Sequence, residues 1–204
     1  NKKYWEKEEN LIITKSSIKK LNNFLEGKEK LEEVFDIEKW AWFFAVTDLG
    51  YFSHGNFIKS VKLFYNPVSG KFEPIGFDGH RLLPSVNKLV ADERKDSSQT
   101  NLSKALNYES NRNKLASIEG IFFVNEDKKI NYDFYEIYIR NIKKITSKNF
   151  LDNFFKKRIK KVKSITSGIY SDDYIFDYNS MRKSGIGIYY FSKKEYYRRA
   201  AQLR

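Results

Sequence analysis

Two acidic residues, Asp48 and Asp78, stand where folding alone would not ask for a carboxylate. Asp48 closes an aromatic helix-forming run that starts at Trp40. The end of a helix is partially negative, so an anion there calls for cations or a metal to compensate it. Asp78 follows a strand-like F-E-P-I-G-F at residues 72–77. If both face one cleft, with His54, Asn56 and Lys62 nearby, they make a phosphate-and-metal site. The chain has 2 histidines and no cysteine, so a metal would be held by oxygen, which suits Mg²⁺ or Mn²⁺. Each residue also has a plain structural reading. Asp48 can be a helix-end turn former and Asp78 a turn residue before Gly79. His54 can be a hydrogen-bonded structural histidine and Lys62 a solvated strand lysine.

The elements that must position these groups can be read from pattern. Residues 59–65 and 71–77 are strand formers joined by Asn66-Pro67-Val68-Ser69-Gly70, a hairpin signal. Such a hairpin places Asp78 at its end, facing the loop after Asp48. Asp36 sits at the N-cap of a helix over 37–47 that is apolar nearly all round and hence buried. Upstream, residues 1–10 read as a frayed end. Thr14, Ser16 or Ser17 caps a helix over 18–26 that Gly27 stops, and 28–35 adds a helical turn or two. Downstream, 79–99 is a long polar loop, and 101–119 is a helix stopped by Gly120. Residues 121–124 are a strand or a helix start. Asn131 caps a helix over 132–146, and Ser147 caps one over 149–164 whose lysines and Arg158 read as a solvated outer face. Residues 168–177 form a loop, 186–191 a short strand, and Ser192 caps a last helix over 193–202.

The segment 40–81 and its approach resemble the CotH kinase-like family, the spore-coat protein H kinases, which are atypical relatives of protein kinases. The resemblance lies in V-F-D-I-E-K-W-A-W-F-F-A-V-T-D-L at 34–49, then His54. It continues through K-L-F-Y-N-P at 62–67 and G-K-F-E-P-I-G-F-D at 70–78. It covers 31–83 well and the remainder weakly. The fold it implies is α+β and mostly helical: the C-lobe-like part of an atypical protein-kinase-like fold, with a β-hairpin at the cleft. The activity it implies is phosphate transfer from ATP to Ser or Thr of a protein, with Mg²⁺ or Mn²⁺, in a bacterial cell-envelope or extracytoplasmic setting. On this resemblance Asp48 is the catalytic aspartate and Asp78 the metal-binding one. His54 and Lys62 are phosphate contacts. The family tends to place a metal-binding Asn just before the first hairpin strand. Ser60 stands at that position here and Asn56 lies four residues earlier, a departure that bears on the second metal ligand.

At 204 residues, with 41% hydrophobic and 17% aromatic content, the chain fits a single domain over 1–204. Within it, 84–204 forms a loop plus a helical C-terminal part. No apolar run approaches the roughly 20 residues of a membrane-crossing helix. The chain opens on Asn with no signal-like segment, which reads as an excised or mature portion. No glycine-rich phosphate loop and no Val-Ala-Ile-Lys strand occurs, and the 30 residues before Leu31 read as helix. A nucleotide-gripping lobe is thus either outside this chain or degenerate. The net charge of +12 favours an anionic partner. Three readings follow in order: a CotH-like kinase fragment; an inactive relative that binds a protein or an anionic envelope polymer through its basic surface; and a nucleic-acid-binding helical module. Nucleic acid ranks last because the aromatics fall on the apolar sides of helices.

Overall fold

A helix apolar on every side must be enclosed, and the run beginning at Ile37 is enclosed by most of the other elements. The computed structural model describes residues 7–50, 52, 56, 61–76, 100–109, 118–125, 127–170 and 193–204. In chain order these give α1 (Glu8–Leu25), α2 (Leu31–Val34), α3 (Ile37–Gly50), β1 (Lys62–Asn66), β2 (Lys71–Ile75) and α4 (Asn101–Glu109). There follow α5 (Ile118–Phe123), α6 (Tyr132–Thr146), α7 (Lys148–Tyr170) and α8 (Lys193–Leu203). The fold is α+β, mostly helical, with one two-stranded antiparallel sheet among the described residues.

Helix α3 packs against α6, α8 and β2. Its Trp40 and Phe44 lie with Phe35, Phe122, Phe123 and Phe134 in one aromatic core. Trp40 stacks on Phe122 with ring centroids 4.6 Å apart, and Phe44 meets Phe122 edge-on at 5.5 Å. Full burial of such rings is the largest apolar contribution available to a chain of this size. The expected Asp36 cap is present: its carboxylate accepts from the Lys39 N–H at 3.1 Å. The hairpin joins α3 through one carbonyl. Phe72 O accepts from the Asp36 N–H at 3.0 Å and from the Trp40 indole at 3.1 Å. Lys39 adds an ion pair to Glu73 at 2.7 Å.

The hairpin register is Lys62 opposite Ile75 and Asn66 opposite Lys71. The turn works as its residues dictate. Asn66 Oδ1 accepts from the Val68 N–H at 2.9 Å, and Gly70 takes the left-handed conformation at φ +66°. The strands are shorter than the expected 59–65 and 71–77; residue 61 and Gly76 fall outside the ladder.

Other boundaries moved for physical reasons. Helix α1 begins at Glu8 rather than at residue 18, with Glu8 and Glu9 well placed at its positive end. The Thr14 and Ser17 hydroxyls bond back to carbonyls inside the helix instead of capping it. Gly27 does end α1, at φ +73°. Of the expected helix 101–119, α4 covers Asn101–Glu109 and α5 opens at Ile118, residues 110–117 lying outside the described ones, and Gly120 lies buried inside α5 rather than stopping a helix. Asn131 and Ser147 cap as expected, accepting from the Phe134 and Phe150 N–H groups. Helix α7 runs to Tyr170, past the expected end at 164. The expected loop 79–99, strand 186–191 and Ser192 cap lie outside the described residues.

Phe122 is buried among four of these rings, so Phe122→Ala should cost about 3–5 kcal/mol in urea unfolding. Val68→Ala at the hairpin tip, where Val68 is 95% exposed, should stay within about 0.5 kcal/mol of the parent. Similar midpoints for the two variants would count against the aromatic core as the stabilising centre.

Candidate functional site

The last turn of α3 departs from the apolar pattern of the rest. Thr47 and Asp48 are buried there, Asp48 to 5% exposure. An ionised carboxylate in such a place is costly unless donors surround it. Two elements supply them, and a third brings a cation. The first N–H of α4, on Asn101, reaches Oδ1 at 2.9 Å and Oδ2 at 3.2 Å. The Tyr138 hydroxyl of α6 donates to Oδ2 at 2.5 Å. From α8, the Arg199 Nε donates to the Asp48 carbonyl at 3.0 Å, which brings its guanidinium beside the carboxylate. The carboxylate therefore closes the negative end of one helix and occupies the positive end of another. The compensating cations anticipated at this helix end are Arg199 and, further off, Lys104.

The start of α4 is ordered by its own box. Thr100 N–H donates to Ser103 Oγ at 2.8 Å, and Ser103 N–H donates to Thr100 Oγ1 at 3.1 Å. This fixes Asn101, which is also buried. Its Nδ2 donates to Phe44 O at 3.0 Å and to Thr47 Oγ1 at 2.9 Å. Asn56 completes the cluster from the segment after α3. Its Nδ2 donates to Asn101 Oδ1 at 2.6 Å and to Thr47 Oγ1 at 3.3 Å. Asn56 is 2% exposed, and its Oδ1 has no hydrogen-bond partner among the described residues. A buried carbonyl oxygen without a donor is expensive.

A second buried acid lies alongside. Glu119, in the first turn of α5, feels the fields of Asp48 and Lys104. Burial pushes its carboxyl up to about 7, with Lys104 opposing and Asp48 reinforcing the shift. Burial likewise pushes Asp48 up to about 6, against the Tyr138, Asn101 and Arg199 interactions that lower it. Tyr138 is raised by burial and by the neighbouring carboxylate, so it stays a donor.

Of the six residues singled out from sequence, Asp48 and Asn56 come together in this cluster through Thr47 and Asn101. Lys62 is exposed at the start of β1. His54, Ser60 and Asp78 lie outside the described residues. Sequence reading passed over Asn101, Glu119, Tyr138 and Arg199. Glu119 carried a signal, as the lone charge in the apolar run I-E-G-I-F-F. Arg199 carried a weaker one beside Ala200 and Ala201. Among the described residues no trio of His, Cys, Asp or Glu side chains is placed to hold a metal ion. The donor that suits a hard cation is the amide oxygen of Asn56. No family model, curated protein or solved structure matches the chain.

Both carboxyls bind a proton more tightly folded than unfolded. Between the ordinary carboxyl range near 4 and about pH 7 the native state holds more protons, so stability should fall as pH rises through that window and level off above it. Each group contributes a drop on the order of 3 kcal/mol. Urea unfolding between about pH 4.5 and 7.5 tests this, with Glu119→Gln expected to remove roughly half the slope. A Glu119→Gln curve parallel to the parent's would show that Glu119 is already ionised at no cost.

Proposed function

We propose that this chain is the catalytic-lobe part of a CotH-like atypical protein kinase, transferring phosphate from ATP to Ser or Thr of a protein with a divalent cation. The observation that carries this reading is Asn56 Oδ1, a buried oxygen without a partner among the described residues, held in the same polar cluster as Asp48. Strongly perturbed, buried acids cluster at functional sites, and an unsatisfied oxygen beside one supports that reading. The C-lobe-like architecture belongs to this proposal too: an aromatic-rich helix ending at an acid, followed by a hairpin that leads to Asp78.

In this reading Asp48 orients the acceptor hydroxyl. Raised to about 6, its carboxylate is ionised at neutral pH yet basic enough to share a proton. Tyr138 must give up Oδ2 for that contact, so the tyrosine gates the acid. Asn56 would supply an oxygen and Asp78 a carboxylate to the cation, whose charge would neutralise the phosphates. Lys62 and His54 are phosphate contacts, and Ser60 is the alternative to Asn56 at the family's asparagine position.

A second reading, an inactive relative that binds a protein or anionic envelope polymer, is favoured by a different observation. Both oxygens of Asp48 are already engaged by Asn101 and Tyr138, as in a structural brace.

Thermal unfolding with Mn²⁺ or Mg²⁺ and ATP separates the two. Saturating ligand should raise the midpoint by a few degrees, about 2–4 °C per kcal/mol for a chain of this size. Asp78→Ala should abolish that rise, and Asp48→Asn should keep it while abolishing phosphate transfer to a protein acceptor. Anionic polymer binding that survives both substitutions, with no response to metal and ATP, would favour the inactive relative.

A further inference from the structure

The outer face of α7 is more than a solvated one. Where α6 meets α7 a groove of about 450 Å³ is lined by Lys144, Phe150, Asn153, Phe154, Lys157 and Arg158, among others. Phe150 and Phe154, one turn apart, hold their rings within 11° of parallel at a centroid distance of 6.4 Å. Phe154 is 45% exposed, although the core side of the same helix accommodates Leu151 and Phe155. Trp42 of α3 meets Phe150 edge-on at 6.0 Å and extends the aromatic surface.

Cations frame this surface. Lys144 Nζ lies 5.4 Å from the Trp42 ring centre, and the Arg158 guanidinium lies 5.8 Å from that of Phe154. Positions 150, 154, 157 and 161 recur at helical spacing, so two rings lead into two exposed lysines along one stripe of α7. No acidic side chain lines the groove among the described residues. Two acids on these helices are engaged elsewhere: Asp152 with Tyr197 and Lys148, and Glu38 with Arg140.

A ring platform half-buried at Phe150, exposed at Phe154 and edged by cations is the arrangement that holds single-stranded nucleic acid, with bases on the rings and phosphates on the cations. An acidic peptide would match the charge but leave the paired phenyl faces without planar partners. We infer that the α6–α7 face is a binding site for single-stranded nucleic acid, with Phe150 and Phe154 as the stacking platform and Lys157, Arg158 and Lys161 as the phosphate contacts. The site lies apart from the Asp48 cluster and does not rest on the phosphotransfer reading.

Fluorescence anisotropy of a labelled oligothymidylate of about a dozen nucleotides, titrated with the full chain at several salt concentrations, tests this directly. Binding should weaken with salt at a logarithmic slope of about −2, as for three phosphate contacts. Phe154→Ala removes a half-exposed ring, not a core one, and should lower affinity roughly five- to hundred-fold. The double variant Lys157→Glu and Lys161→Glu should weaken binding and flatten the salt slope. An abasic oligomer of the same length should bind as weakly as the Phe154 variant binds the parent strand. Equal binding of abasic and thymidylate strands, an unchanged Phe154→Ala affinity, or polyglutamate competing as well as the oligonucleotide would each overturn the proposal.

Discussion

The burial of the Asp48 carboxylate is the constraint on which the arrangement of the helices depends. A charge at the negative end of a helix, out of water, can persist only where donors converge. The donors come from α4 and α6, and the α8 guanidinium, bonded to the Asp48 main-chain carbonyl, adds a compensating charge. Removing one would leave a buried acid partly unsatisfied, a loss larger than the net worth of an ordinary hydrogen bond. The same group thus specifies where α4 starts and which way α6 turns Tyr138. An apolar residue at position 48 could fill the space but would not dictate the placements of Asn101 and Tyr138.

Around this polar centre the aromatic core supplies most of the burial, and the two regimes meet along α3. Its N-terminal half faces rings and its last turn faces hydroxyls, amides and a carboxylate. The hairpin attaches to the apolar half through the Phe72 carbonyl and the Phe35 and Trp40 rings, so the strand leading toward Asp78 is anchored to rigid helix.

Much of the scaffold was legible because local rules and packing agreed. Asp36, Asn131 and Ser147 capped their helices, Gly27 ended one, and the Asn66–Gly70 turn closed the hairpin, each for the reason its side chain or φ angle dictates. The failures came where tertiary contacts overrode local preference. Gly120 reads as a stop but is enclosed within α5 by the aromatic core. Thr14 and Ser17 read as caps but turn back on their own helix. At the site, the oddity of Asp48 was visible as a carboxylate at the end of an apolar run. Its partners were not, because Asn101, Tyr138 and Arg199 lie 53, 90 and 151 positions away. Periodicity places residues on faces but does not say which faces meet. The same limit hid the exposure of Phe154, which shares a helix with buried rings.

One consequence of the hairpin reaches beyond the monomer. Phe72 turns its carbonyl outward to α3, so Pro74, two residues on, turns its backbone to the same side of β2. That margin lacks an amide proton at Pro74 and already has its Phe72 acceptor taken by Asp36 and Trp40. A further strand approaching β2 there would find no donor at Pro74 and the Phe72 carbonyl already taken. On that side the two-stranded sheet is therefore a poor template for edge-to-edge growth.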